Sequence, residues 1–465
     1  MHYKTISELA PLIESGKLSP VELTRSQLDR IEKLDGQLKS YATVTADLAI
    51  EQAQQAESEI AGGNYRGKLH GIPIAVKDLC NTAGIKTMGG SAVFSDNVPD
   101  HDATVVAKFR EAGAVSLGKL NMTEGAMGGY NPKFQVPENP WRPSHWAGAS
   151  SSGSGSATAA GLAYGTLGSD TGGSIRHPAA VCGTVGLKPT WGRVSRYGVI
   201  DLAQSLDHVG PLTRSAADAG IVLQAISGLD PNDPTTLPQD VPDMLSQIGK
   251  DIKGLKIGWD ENYASEDMEP SFAAAVELGV RVMEDLGADI VPVQMPEFMR
   301  ESLAAWQVIC RSEAAMAHSA TFPSRAEEYG PFFREWLEVG NAYSSIDYAN
   351  AHSLRQALNG GLRNTMRGID VLACPSTPKA SYPVTPELLY GPVSKDRQPW
   401  DSRFTVPYDF AGLPTISLPC GLNDDGMPVS LQFAGHHLAE PLLLGVGDAF
   451  EQATDHHNLH PPIED

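Results

Sequence analysis

Core size does not limit a chain of 465 residues, which has room for about three domains or for one large continuous α/β sheet. A formal net charge of −21 argues against a nucleic-acid or anionic-membrane surface as its main business, since both want clustered Lys and Arg. The five cysteines, Cys80, Cys182, Cys310, Cys374 and Cys420, are widely spaced and form no CxxC pair. They read as reduced core residues of a cytoplasmic protein. The N-terminus lacks the basic and apolar regions of a secretory signal, and no apolar run is long enough to predict a membrane-spanning helix.

From Ser19 to about Gly62 the pattern is helical. Ser19-Pro-Val-Glu offers a cap and a first-turn proline, and Ala46 to Ile60 gives a second helix. Leu69 to Asp78 holds a short β-branched run, predicted as a buried strand that delivers Lys77 to its end. Thr104 to Ala112 is an amphipathic helix and Ala114 to Gly118 a strand, an alternation that predicts a largely parallel sheet covered by helices. Gly113 to Lys119 has the spacing of a phosphate loop, but Leu120 stands where a Ser or Thr must hold magnesium.

Trp146 to Pro178 starts with the composition of a Gly/Ser linker. The small apolar segment after Ser156 suits a tightly packed buried helix instead. Short strands follow around Gly186, then a helix from Thr213 to Ile226, and the proline-rich Asp230 to Pro242 is the best place for a subdomain break. Gly254 to Gly258 and Asp289 to Val293 are strands flanking a helix from Pro270 to Leu286. Residues 297–368 are mostly helical and aromatic-rich. Strands at Asp370, Thr415 and Val429 and a helix from Pro441 to Thr454 close the chain. His456, His457 and His460 fall in a Pro-rich tail that is expected to be solvated and to bind no metal.

Chemistry concentrates in Asp170-Thr-Gly-Gly-Ser174-Ile-Arg176. Backbone N–H groups around Gly172, Gly173 and Ser174 can converge on one oxygen, as an oxyanion hole requires. A serine there needs a base. No G-x-S-x-G elbow surrounds Ser150 or Ser174, and His177, next to Pro178, suits a structural hydrogen bond better. Lys77 at the end of an apolar strand can serve if burial keeps it neutral. The competing reading pairs Lys77 with its neighbour Asp78.

Gly71-Ile-Pro-Ile-Ala-Val-Lys77-Asp78, Gly148-Ala-Ser150-Ser151-Ser-Gly-Ser-Gly155 and Gly168-Ser-Asp-Thr-Gly-Gly-Ser174-Ile-Arg-His-Pro178 together resemble the amidase signature family. Further matches are Asn139-Pro-Trp141, Cys182 to Thr190 and Phe404-Thr-Val-Pro, so the resemblance runs from roughly Ser19 to Thr454. It implies one α/β/α sandwich over residues 1–465, with a mixed, mostly parallel twisted sheet. Its parts would be N-terminal helices to about 65, a catalytic core to about 230, a helical pocket-covering part near 297–368, and a sheet and closing helix to 454.

By the same resemblance Ser174 is the nucleophile, Ser150 the bridging serine after a cis peptide bond, and Lys77 the base. The N–H groups of Thr171, Gly172, Gly173 and Ser174 would form the oxyanion hole. Ser151, Asp170 and Arg176 would support it, and Gly125, Met127, Gly128 and Tyr130 would bind substrate. The implied reaction is cofactor-free cleavage of a small-molecule amide, ester or carbamate through an acyl-enzyme, without nucleic acid, membrane or metal, by a monomer or homodimer. Trp306, Phe332, Phe333, Trp336 and Tyr343 are candidates for an apolar lid over a pocket without a charge clamp.

Three departures from the family pattern stand out: Ala149 and Ser152 where glycines are usual, and Asp409 where asparagine is usual, a change expected to alter the pocket wall. Residues 186–213 resemble the A subunit of glutamyl-tRNA amidotransferase, which takes ammonia from glutamine. That subunit usually holds the glutamine amino group with an aspartate at the place Ser402 occupies here, which favours a free-standing hydrolase over a glutamine-hydrolysing component of a larger assembly.

Overall fold

The computed structural model describes residues 1–297, 299–393 and 399–463. Among the described residues eleven strands form one sheet: β1 (Tyr41–Val44), β2 (Pro73–Lys77), β3 (Val115–Leu120), β4 (Gly165–Asp170), β5 (Val185–Lys188), β6 (His208–Thr213), β7 (Lys256–Trp259), β8 (Asp289–Pro292), β9 (Val371–Pro375), β10 (Thr415–Leu422) and β11 (Pro428–Gly435). Their order across the sheet is β1-β3-β2-β4-β6-β5-β10-β11-β9-β7-β8. The sheet therefore passes unbroken between the segments on either side of the proline-rich Asp230 to Pro242 connection, which is itself pinned by buried Asp230 and Asp233.

The mixed α/β architecture agrees with the expectation, but its parallel share is smaller than expected. The pairs β2–β3, β2–β4, β7–β8 and β7–β9 are parallel, while the other six are antiparallel. The β/α alternation that predicts parallel pairing is present only on the two flanks. In the middle, β10 returns directly into β11 through a tight turn closed by Asn423 N donating to the Met427 carbonyl at 2.8 Å. A connection that short can only reverse direction.

Local chemistry explains most element ends. Ser19 accepts from Glu22 N and places Pro20 at the first position of the helix Pro20–Leu38. Ser215 caps Ala216–Ile226 in the same way. Among the elements that escape the sequence reading are the helix Ile6–Glu14, with a Thr5/Glu8 capping box, and the four-residue edge strand β1 between two helices. The linker-like stretch contains the helix Ser152–Ala159, every residue of which is buried. Long helices Met299–Ala317, Pro331–Ala342 and Ser345–Thr365 make up the aromatic-rich part. The histidine tail folds back so that His460 stacks on Tyr3 with ring centroids 3.9 Å apart. All five cysteines are free and buried. Among the described residues, no helix is long and apolar enough to cross a membrane.

Candidate active site

The parallel register of β2 with β4, in which Val76 lies opposite Leu167, carries Lys77 to the end of β4. All five residues of β2 are buried, so Lys77 leaves water completely. Its Nζ lies 2.6 Å from Ser150 Oγ and 2.9 Å from Ser169 Oγ. Asp78 does not pair with it: that carboxylate lies 3.3 Å from Lys119 Nζ on the neighbouring strand. Burial lowers the Lys77 pKa to about 7, while Cys80, Asp170 and Asp207 oppose the fall. A neutral amine has a lone pair that can take the Ser150 proton across the same short contact.

Ser150 follows a cis peptide bond from Ala149. It precedes the buried helix Ser152–Ala159, which packs against β4 and the helix Arg176–Cys182. Ser151 N donates to the Ser174 carbonyl at 3.3 Å, joining the Ser150 segment to the Ser174 loop. The Ser151 hydroxyl sits between the Ser169 carbonyl and N–H at 3.3 Å each.

The loop from Asp170 to Arg176 is wrapped around one carboxylate. Asp170 accepts from Gly173 N at 2.6 Å, Ile175 N at 3.0 Å, Arg176 Nε at 3.0 Å and Arg176 Nη2 at 2.8 Å. Burial opposes ionisation of Asp170, but the Arg176 guanidinium, Lys188 and these N–H groups outweigh it and hold the carboxylate well below its ordinary range. Arg176 also donates to Asp409 at 2.6 Å and to the Thr405 carbonyl at 2.9 Å. Asp409 is therefore a second buried carboxyl group behind the loop, its pKa pushed well above the ordinary carboxylate value by burial, and not part of the cavity wall as its departure from the family pattern suggested.

Because Gly173 N–H turns inward to Asp170, it does not point at a ligand. Among the described residues no protein acceptor takes the N–H of Thr171, Gly172 or Ser174, and all three line a cavity of about 430 Å³. The Ser174 hydroxyl likewise makes no hydrogen bond to a described residue, while Lys77 and Ser150 are fully buried and do not line the cavity. Trp306 covers the loop: its Nε1 donates to the Thr171 carbonyl at 2.9 Å, and a Cβ on Gly172 would stand 2.5 Å from its ring. Only glycine fits beneath it.

Met127, Gly128 and Tyr130 line the cavity as expected, with Tyr130 OH donating to Ser152 Oγ at 2.8 Å. Gly125 lies behind that wall, where a Cβ would meet the Phe333 ring at 2.2 Å. Of the expected aromatic residues, Trp306 and Phe332 line the cavity, while Phe333 and Trp336 are buried in the layer behind and Tyr343 lies apart from it. The sequence reading missed three lining residues, Trp146 and Tyr382, which stack with ring centroids 5.3 Å apart, and His177. It also missed charge: Lys379 and Asp401 line the cavity 3.5 Å apart, with Ser402 beside them. No local signal marks these residues, because they come from segments far apart in the chain.

A model of the family described as Amidase matches residues 22–444. The protein named "Putative amidase AmiD" of Mycobacterium tuberculosis (strain ATCC 25618 / H37Rv) is 43% identical over 98% of this chain and 96% of its own length. The A subunit of glutamyl-tRNA(Gln) amidotransferase from Moorella thermoacetica (strain ATCC 39073 / JCM 9320) is 38% identical over 100% of this chain and 99% of its own. Among solved structures, native peptide amidase from Stenotrophomonas maltophilia superposes with a TM-score of 0.85 at 31% identity, covering 99% of this chain and 98% of that one.

Proposed function

The chain belongs to the amidase family, and from that premise we propose that it is a serine amidohydrolase cleaving the C–N bond of small amides through Ser174, Ser150 and Lys77. The observation that carries this reading is the contact of wholly buried Lys77 Nζ with Ser150 Oγ at 2.6 Å, on a segment that Ser151 N ties to the carbonyl of the cavity-lining Ser174 at 3.3 Å. A lysine without an ion-pair partner among the described residues, with its pKa lowered by burial to about 7, is a base at physiological pH.

In this mechanism neutral Lys77 takes the Ser150 proton as Ser150 takes that of Ser174, and Ser174 Oγ bonds to the substrate carbonyl carbon. The carbonyl oxygen, now negative, meets the N–H groups of Thr171, Gly172 and Ser174. The proton returns along the same path to the leaving nitrogen, the C–N bond breaks, and water repeats the sequence on the acyl-enzyme. Aromatic and aliphatic walls, Met127, Trp306, Phe332 and Leu202 among them, suit an apolar acyl or aryl group, and esters and carbamates fit the same chemistry.

Ser402, in the place where an aspartate would grip a glutamine ammonium, supports a free-standing enzyme over a glutamine-hydrolysing component of a larger assembly. Labelling by a sulfonyl fluoride should fall on Ser174. Ser174→Ala and Lys77→Ala should each abolish hydrolysis in a screen of amides, anilides, esters and carbamates. Full activity of Lys77→Ala at neutral pH would overturn the relay.

A further inference from the structure

Asp207 is a buried carboxylate that this relay does not use. The antiparallel register of β4 and β6, with Asp170 opposite His208, sets it beside Thr171. Thr171 Oγ1 donates to its Oδ1 at 2.6 Å, and Leu202 N and Ala203 N donate to its Oδ2 at 2.9 and 3.0 Å. Two of those donors, Thr171 and Leu202, line the substrate cavity. On its other side Asp207 and Ser169 line one small space of about 10 Å³, roughly the room of a single water. Ser169 in turn is bonded to Lys77. Asp207 thus stands between the base and the loop that would hold the oxyanion.

The charges nearby are unevenly committed. Asp170 is bound to Arg176, whereas Arg196, the cation facing Asp207, spends its guanidinium on the Gln204 carbonyl and Thr235 Oγ1. We propose that Asp207 is a positioning residue for the hydrolysis: its carboxylate fixes Thr171 in the loop and adds to the negative charge that Lys77 faces, beside Asp170, when it takes up the relay proton. The inference rests on the triad reading above. Protonation of Lys77 creates a cation in a site closed to water, and a fixed carboxylate lowers the energy of that cation.

The groups facing Lys77 are Cys80, Asp170 and Asp207; those facing Asp207 are Thr171, Asp201 and Arg196. Burial pushes Asp207 up to about 7, so its charge develops over the range in which Lys77 becomes a base.

Asp207→Asn is the informative variant, because its amide oxygen can accept from Leu202 and Ala203 while its NH2 donates to the Thr171 hydroxyl. It removes charge and keeps the hydrogen-bond frame. The pH dependence of hydrolysis, and of Ser174 labelling by a sulfonyl fluoride, should show the acid limb displaced downward by about one unit, with kcat reduced about tenfold or more. Thr171→Ser, which keeps the hydroxyl bonded to Asp207 and with it the charge, should lower kcat modestly and leave the limb in place. If both variants lose rate equally with unmoved limbs, Asp207 is only structural. Should Asp207→Asn fail to fold, Asp207→Glu, with charge retained, must keep the wild-type limb despite a slower rate; a shifted limb there overturns the proposal. Absence of labelling and hydrolysis in the unmutated protein would instead overturn the triad reading, and this inference with it.

Discussion

Lys77 has been taken out of water with two hydroxyls for company, Ser150 and Ser169, while Lys119 on the next strand holds Asp78 at 3.3 Å. The contrast separates a lysine kept charged from one kept basic. Burial depresses the folded Lys77 pKa from 10.5 to about 7. The stability this group contributes is therefore complete above its unfolded value and is lost as pH falls from there through about 7. Near neutrality the fold holds Lys77 at a cost of several kcal/mol relative to alkaline pH. Lys77→Met should accordingly raise the melting temperature at pH 7 and abolish hydrolysis, with the gain shrinking as pH approaches 10. An unchanged melting temperature at pH 7 would contradict a depressed lysine. In the unmutated protein, kcat/KM should fall as pH drops below about 7, as Lys77 takes its proton and ceases to be a base.

The helix Ser152–Ala159 shows how an element with almost no apolar side chains is held. Its glycines let backbones touch: a Cβ on Gly153 would lie 2.5 Å from the carbonyl oxygens of both Asn121 and Ser40. Those are backbone atoms, which have no rotamer to escape into. Gly153→Ala should therefore lower stability by about 1–3 kcal/mol, read from the urea midpoint. Gly36 in the helix Pro20–Leu38 has nothing within 4 Å of its virtual Cβ, and alanine there should stabilise by about 0.5–1 kcal/mol. If the two substitutions cost the same, close backbone approach is not what the first glycine serves. The small-residue composition announces a buried helix after Ser156, but the helix Ser152–Ala159 overlaps that segment only in its last turn, whereas the Ile-Pro-Ile-Ala-Val run makes β2 legible. Strand β1 was not legible, because four residues pairing at a sheet edge carry no period that separates them from a loop between helices.

At the scale of the whole molecule, the candidate site is assembled from β2, the ends of β4 and β6, and the helical part that follows β8. Motif spacing exposed Lys77, Ser150 and Ser174, because each sits in a stretch whose local composition is unusual. Asp207, Ser169 and the Lys379–Asp401 pair stayed hidden, since their meaning depends on antiparallel pairing in the sheet centre and on which loops close over it. Trp306 is the clearest long-range joint. It projects from Met299–Ala317, bonds the Thr171 carbonyl at 2.9 Å, and lies with Trp336 at a centroid distance of 6.2 Å. A ring that merely walls the cavity would act on substrate affinity, whereas one that pins the loop acts on the rate. Trp306→Phe keeps an aromatic wall and deletes the N–H. The lost hydrogen bond should cost about 1 kcal/mol of stability, a small drop in melting temperature. Under the proposed mechanism its larger effect should be on kcat, about tenfold, with KM changed far less, because a loosened Thr171 would misaim an N–H that this mechanism uses only in the transition state. Steady-state kinetics on an anilide substrate separate the two: a raised KM with kcat intact would mean that the helical part only encloses the substrate and leaves the loop to hold itself.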